Sequence, residues 1–256
     1  ILLFNLSFAL RSRFGRVGEM ADLERSVTVG QQAVDAAPAD LPDRARYLLN
    51  LGVALHIRFR RLGTSTDLQQ AITVLQQAVE ATPPDDPDRP AYLSNLGLAL
   101  AERYEREGTV ADVEQAVTVH QQAVDATPPD DPSRAMYLTN LGTALRLRFA
   151  FLGQPGDRER AMVALQTALH QVTARPMVRA EAGRTAAALA ADGGDWGTAE
   201  GALTSVLDLL PTFTDHSLDP QDRQFHLARL QGLAADTARA TIGPLVRDDT
   251  WRRRVA

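Results

Sequence analysis

Asn5, Asn50, Asn95 and Asn140 stand 45 residues apart, and their surroundings recur with them. YLLNLGVAL at 47–55 returns as YLSNLGLAL at 92–100 and YLTNLGTAL at 137–145, with a fainter copy, FNLSFAL, at 4–10. Arg13, Arg58, Arg103 and Arg148 keep the same step, as do Gly18, Gly63, Gly108 and Gly153, then Asp22, Asp67, Asp112 and Asp157. QQAV at 31–34 recurs at 76–79 and 121–124 and decays to QTAL at 166–169. A period of this length constrains the fold more than any other feature of the chain. Each unit is too short to bury its own apolar face, so units must stack on one another.

Inside one unit the apolar spacing is helical. Leu48, Leu51, Gly52, Leu55, Phe59 and Leu62 form one stripe, and Leu68, Ala71, Ile72, Leu75, Ala78 and Val79 form a second. Gly63 suits the left-handed residue that ends the first helix, and Asp67 is placed to satisfy free amides of the next helix's first turn. In the loop ATPPDDPDR, Asp86 is the expected cap, Pro87 the first helical residue, and Asp88 the charge that complements the dipole. The unit is thus a helix of about 20 residues followed by one of about 16. No strand-like alternation occurs.

Composition narrows the chemistry. A net charge of −5 argues against a general nucleic-acid binder, which needs a basic face. There is no cysteine, so the sequence has no disulfide, thiolate metal ligand or cysteine nucleophile. Lysine is also absent, which excludes a P-loop or Schiff-base lysine. No run approaches the roughly 20 apolar residues that span a bilayer. ILLFNLSFAL resembles the apolar part of a signal peptide but lacks a basic residue before it and aligns with the later repeats. It is read as a truncated helix in a fragment of a longer bacterial protein, with a cytoplasmic location expected.

The pattern NLG…G…D…AI…QQAV…P resembles a tetratricopeptide repeat, with Asn50-Leu51-Gly52, the small packing residues Ala71 and Ala78, and the closing Pro83. Relative to the usual unit of about 34 residues, four residues are added between Gly52 and Gly63, three between Gly63 and Ala71, and four after Pro83. This long variant is similar to arrays that precede a CHAT domain, a caspase-like peptidase, in bacterial proteins. The stretch 179–211 resembles the shorter degenerate repeat that follows such arrays, and 219–243 the helix leading toward the peptidase. The resemblance implies an all-α fold, a right-handed α-solenoid of antiparallel helix pairs whose concave side is lined by the first helix of each pair. Four long units are expected in 1–176, the first truncated at its N-terminus. A shorter pair is expected in 177–211, with an additional helix and tail in 212–256.

Asn50 lies off the apolar stripe, yet it recurs while positions 49, 94 and 139 change from Leu to Ser to Thr. In the family the equivalent amide faces the groove and bonds a bound peptide, so Asn5, Asn50, Asn95 and Asn140 are candidate ligand contacts; the alternative is a tie to a neighbouring helix. Arg11, Arg46, His56 and Arg146 are expected on the same face, where Arg46 and Arg146 could clamp a carboxylate. Ala91, Ala101 and Glu102 interrupt any continuous basic strip. The recurring Arg13, Arg58, Arg103 and Arg148 are expected to pair with the recurring aspartates across the loop, holding geometry with little net energy.

The acidic loops lack the glycine and closing glutamate of a calcium site. His56, His120, His170, His216 and His226 show no paired metal spacing. DGGDWG reads as a tight turn before a helix near Trp196, and the final WRRRV as a frayed terminus. No catalytic residue, cofactor or metal is expected. The leading expectation is a protein-interaction scaffold binding a peptide, a partner or the parent protein's own effector domain, without nucleic acid or membrane. The alternative is the regulatory part of a CHAT-type peptidase, and end-to-end self-association through the uncovered first helix is a third expectation.

Overall fold

In the computed structural model, residues 1–38, 41 and 43–214 are described, and every regular element among them is helical. The chain divides into two compact units, residues 1–127 and the part that begins at Pro128. The first contains α1 (Leu2–Val17), α2 (Met20–Asp35), α3 (Arg44–Leu62), α4 (Ser65–Glu80), α5 (Arg89–Glu107) and α6 (Val110–Asp125). The second contains α7 (Arg134–Leu152), α8 (Asp157–His170), α9 (Pro176–Asp192), α10 (Trp196–Leu207) and α11 (Leu210–Thr214). Within each unit consecutive helices pack as pairs, and each pair packs on the next. The rest of the expected C-terminal helix and tail, with His216, His226 and WRRRV, lies outside the described residues.

The periodic spacing sets the helix lengths. α3, α5 and α7 each have 19 residues, and α2, α4 and α6 each have 16. Each long first helix ends on a glycine with positive φ: 81° at Gly18, 72° at Gly63 and Gly108, and 60° at Gly153. There the left-handed residue turns the chain into the second helix without a Cβ penalty. Further along, Gly194 (φ 78°) makes the expected tight turn before α10, whose first turn is capped by Asp195 accepting from the Thr198 amide at 3.1 Å.

Two expectations about helix starts are corrected. Asp67 caps nothing; its carboxylate is buried and turned toward Arg58. The helix after PPDDPDR starts at Arg89 rather than Pro87, because Asp86 accepts the Asp88 amide at 2.8 Å and closes a local turn first. Asp131 does the same for Ser133 at 2.7 Å.

The core of the first unit runs through successive pairs: Val27, Val34, Tyr47, Leu48, Leu51, Leu55, Ala71 and Ala78 belong to one buried cluster. Within pairs the helices meet at glycine. A Cβ on Gly52 would lie 2.6 Å from Leu75 Cγ, and one on Gly142 the same distance from Leu165 Cγ, so Leu75 and Leu165 rest on bare backbone. In the third pair His120 replaces that leucine and lies flat on Gly97. The first pair reverses the arrangement: Gly30 stands at the leucine register, and the opposing residue is Ser7, whose hydroxyl donates to the Ser26 carbonyl at 2.8 Å.

Arginines hold the pairs and their junctions. Within a pair, Arg58 grips Asp67 at 2.7 and 2.5 Å, Arg103 grips Asp112 at 2.7 and 2.6 Å, and Arg148 grips Asp157 at 2.6 and 2.8 Å. Arg13 and Asp22 form the same fork. The expected ties are present, but the aspartates are buried, so these are not ordinary surface ion pairs. Between pairs, Arg44 donates to the carbonyls of Val34 (2.9 Å) and Ala37 (2.5 Å), and Arg89 to those of Val79 (2.7 Å) and Thr82. Arg179 donates to the Leu169 carbonyl at 2.8 Å. With Arg134 these residues keep the 45-residue step, although the sequence pattern alone does not single them out. Arg44, Arg89 and Arg179 satisfy orphan carbonyls where α2, α4 and α8 end. Arg89→Ala is therefore expected to cost about 1.5 kcal/mol. Amide exchange should accelerate selectively in the last turn of α4, with partial recovery in Arg89→Lys.

Candidate functional site

The first helices carry a run of positions that share a register while their side chains change; among them Phe8 and Leu98 are exposed and Ser94 is buried. Phe4, Leu49 and Ser94 form one row in the first unit; Phe8, Val53 and Leu98 form the next; Arg11, His56 and Ala101 form a third. Residues four apart on a helix share a face, so each first helix contributes a short column to this surface. The flanking positions, such as Leu48, Leu51 and Leu55, are buried and hold the column in place.

The four asparagines do not form a uniform ladder. Asn50 is only 5% exposed; its amide donates to Ser7 Oγ at 2.7 Å, and its oxygen accepts from Arg11 Nε at 3.2 Å. It ties α3 to α1. The equivalent of Ser7 in the next pair is Gly52, which offers no hydroxyl, and Asn95 instead donates to the Ala91 carbonyl of its own helix at 2.8 Å. Asn5 is exposed on α1, and Asn140 is half-buried on α7.

The structure brings some of the candidate cations together with partners and leaves others open. His56 Nε2 lies 2.5 Å from Glu102 Oε2, and Arg60 approaches the other carboxylate oxygen at 3.7 Å, so Glu102 neutralises this part of the surface. Arg11 spreads over the Phe8 ring at 5.2 Å, and Arg46 over Phe4 at 5.8 Å. Phe4 stacks on Tyr47 with centroids 4.9 Å apart, and Phe8 lies 6.5 Å farther along the same helix. Burial pulls the Arg11 pKa below its ordinary value. In the second unit Arg146, at the register of Arg11 and His56, keeps a buried Nε with no hydrogen-bond partner.

Elsewhere, two more arginines cover aromatic rings of the preceding first helix, Arg61 over Phe14 at 5.4 Å and Arg106 over Phe59 at 5.0 Å. These are seams between pairs. Near the chain start, a cavity of about 210 Å³ opens between α1, α2 and α3, lined by Ala33, Ala37, Leu41 and Tyr47 among others. Thr82 and Thr127 stand where Ala37 does in later pairs. No cluster of His, Cys, Asp or Glu among the described residues could hold a metal ion, and no described helix is long and apolar enough to cross a membrane.

Residues 91–133, which hold most of α5 and all of α6, match the tetratricopeptide repeat family. The chain carries a tetratricopeptide repeat over those residues. No curated protein matches it. Among solved structures, the array is similar to nearly identical TPR-like repeats from Podosopora anserina, at 19% identity and a TM-score of 0.59, over 82% of this chain and 95% of that one. It is also similar to MamA from Desulfovibrio magneticus RS-1, at 18% identity and a TM-score of 0.53, over 82% and 97%. A thermophilic TPR protein from Thermus thermophilus gives 21% and 0.52, over 89% and 97%. At these identities the likenesses speak to the fold: the array is an α-solenoid of antiparallel helix pairs.

Proposed function

We propose that the array is a non-catalytic scaffold that binds an extended segment or helix of a partner protein on the face carried by its first helices. The observation that carries this reading is the variable register on a constant frame. Phe8, Val53, Leu98 and Thr143 differ at one position of the repeat, whereas the leucines beside them return in each copy. Leu98 remains 40% exposed although its helix packs on α4 and α6. Apolar side chains left exposed at matching positions give a partner successive anchor points, with affinity spread over several pairs. Nucleic acid and membrane are poor partners for a chain of net charge −5.

The test is quantitative capture of a partner by the purified protein carrying Leu98→Glu, with Thr73→Glu on the exposed side of α4 as control. Retention should fall at least tenfold in the first and stay unchanged in the second. Equal loss in both, or in neither, defeats the reading.

A second reading is favoured by the shorter pair, α9 and α10, that follows the 45-residue pairs. In it the array is the sensing part of a bacterial CHAT-type peptidase, and partner binding regulates a cysteine–histidine pair outside this chain. A parent sequence continuing into an α/β domain with a histidine and a cysteine supports it; a parent without one removes it.

A further inference from the structure

One column of the second helices packs on a glycine of the first helix of the pair. Leu75 fills it in α4 and Leu165 in α8, but α6 places His120 there. The ring lies against Gly97, where a Cβ would stand 2.5 Å from Nε2 and 2.6 Å from Cε1, so no space for water remains between ring and backbone. His120 is 1% exposed, and its Nδ1 has no hydrogen-bond partner. An imidazolium needs acceptors for two N–H groups, and this site supplies none at Nδ1. Leucine serves the same contact in two other pairs, so packing alone does not call for a titratable ring.

No charge in the pair offsets that cost. On α5, Arg89 is held by main-chain carbonyls, Glu102 by His56, and Arg103 by Asp112 of α6, while Arg106 lies over Phe59. On α6, Asp125 accepts from Gln121 at 2.9 Å. Glu105, Glu107 and Glu114 are exposed. On α4, which packs on α5, Asp67 is held by Arg58 and Glu80 is exposed. Burial is accordingly the one cause that lowers the His120 pKa, to about 4.

A second histidine meets α5 from α3. His56 points Nε2 at Glu102 Oε2 across 2.5 Å, and Arg60 stands 3.7 Å from the other carboxylate oxygen. Protonation there completes an ion pair, whereas protonation of His120 buries a charge without one. The two imidazoles act on α5 with opposite sign. Acid strengthens its hold on α3 and weakens its hold on α6.

We infer that the α5–α6 pair is an acid-operated latch, in which protonation of His120 parts α6 from α5 at Gly97 while the His56–Glu102 pair keeps α5 on α3. The Arg103–Asp112 fork retains the opening turn of α6. Beyond that turn, a helix of 16 residues that loses its packing surface is marginal in water, so parting lays its amides open to exchange. The closed site binds a proton only near pH 4, whereas the open site binds one at the ordinary 6.5, so opening rises about twentyfold from pH 7 to pH 5. The latch needs no partner, so its failure would leave the binding face at Leu98 untouched.

The experiment is hydrogen exchange read by mass spectrometry on the full chain at pH 7 and pH 5, corrected for intrinsic rates. Residues 117–124 should lose about twentyfold of their protection at the lower pH. Residues 72–79, the same register in α4 with leucine on Gly52, should stay within about twofold. His120→Leu should abolish the rise, and Leu75→His should transfer it to 72–79. His56→Gln, which keeps a donor for Glu102 but no charge, should bring residues 93–100 into the rise. Several results overturn the latch: no rise at 117–124, a rise that persists in His120→Leu, or an equal rise at 72–79 in the native chain. So do its failure to appear at 72–79 in a folded Leu75→His protein and unaltered exchange at 93–100 in His56→Gln.

Discussion

His120→Leu should make the array more stable at neutral pH by about 2 kcal/mol, raising its melting temperature by roughly 4–8 °C. His120 is 1% exposed, its Nδ1 has no hydrogen-bond partner, and its ring presses on Gly97 where Leu75 and Leu165 press on Gly52 and Gly142. The substitution removes an unsatisfied polar atom and puts back the side chain that two other pairs already accommodate. Burial pushes the His120 pKa down to about 4, from an ordinary value of 6.5. Between those values the unfolded chain binds a proton that the folded chain refuses. The native array therefore keeps its full stability above pH 6.5 and loses it as pH falls toward 4, by on the order of 3 kcal/mol from this residue. His120→Leu lacks that loss. The difference in urea midpoint between the two proteins should grow as pH drops through this window and level off below it. A constant difference would show that the imidazole is not desolvated as described.

Arg103→Ala should be the most damaging single change among the recurring arginines, costing on the order of 3 kcal/mol. It leaves Asp112 buried without its guanidinium and also removes the 2.6 Å contact from Arg103 to Gln69 of the preceding pair. Two consequences separate this account from generic loss of packing. Amide exchange should rise first in the opening turn of α6, where Asp112 sits. The double variant Arg103→Ala/Asp112→Ala should be more stable than Arg103→Ala alone, because no unpaired carboxylate remains buried. If the second substitution lowers stability further, the aspartate has other support and the fork matters less than its geometry suggests.

Both predictions turn on columns that the 45-residue step lines up, and this is where the sequence is most readable. Helix lengths, glycine stops and the Arg–Asp ties follow from side chains that recur together, so each partner can be named from the repeat pattern alone. The histidine in the leucine column is equally visible, since Leu75, His120 and Leu165 stand one period apart, but histidine spacing speaks only to metal ligation and not to this column. What the sequence hides is main-chain chemistry. Arg44, Arg89 and Arg179 bond carbonyl oxygens, which carry no letter, and Asp86 delays a helix by bonding an amide two residues ahead. The partners of the asparagines are hidden for a related reason. Identical residues fall in one column, but what each can bond depends on the preceding pair, which supplies a hydroxyl at Ser7 and nothing at Gly52.

The junction arginines also bear on how such a chain can change over time. At the α2–α3 and α4–α5 joints the downstream helix grips oxygens that any upstream residue would supply, so the joint tolerates substitution of the side chains around it. Each of the four 45-residue pairs meanwhile carries its own arginine–aspartate clasp. A unit built this way behaves as an interchangeable cassette: it can be duplicated, lost or exchanged with a neighbour without redesigning the joint, leaving the outward columns free to diverge.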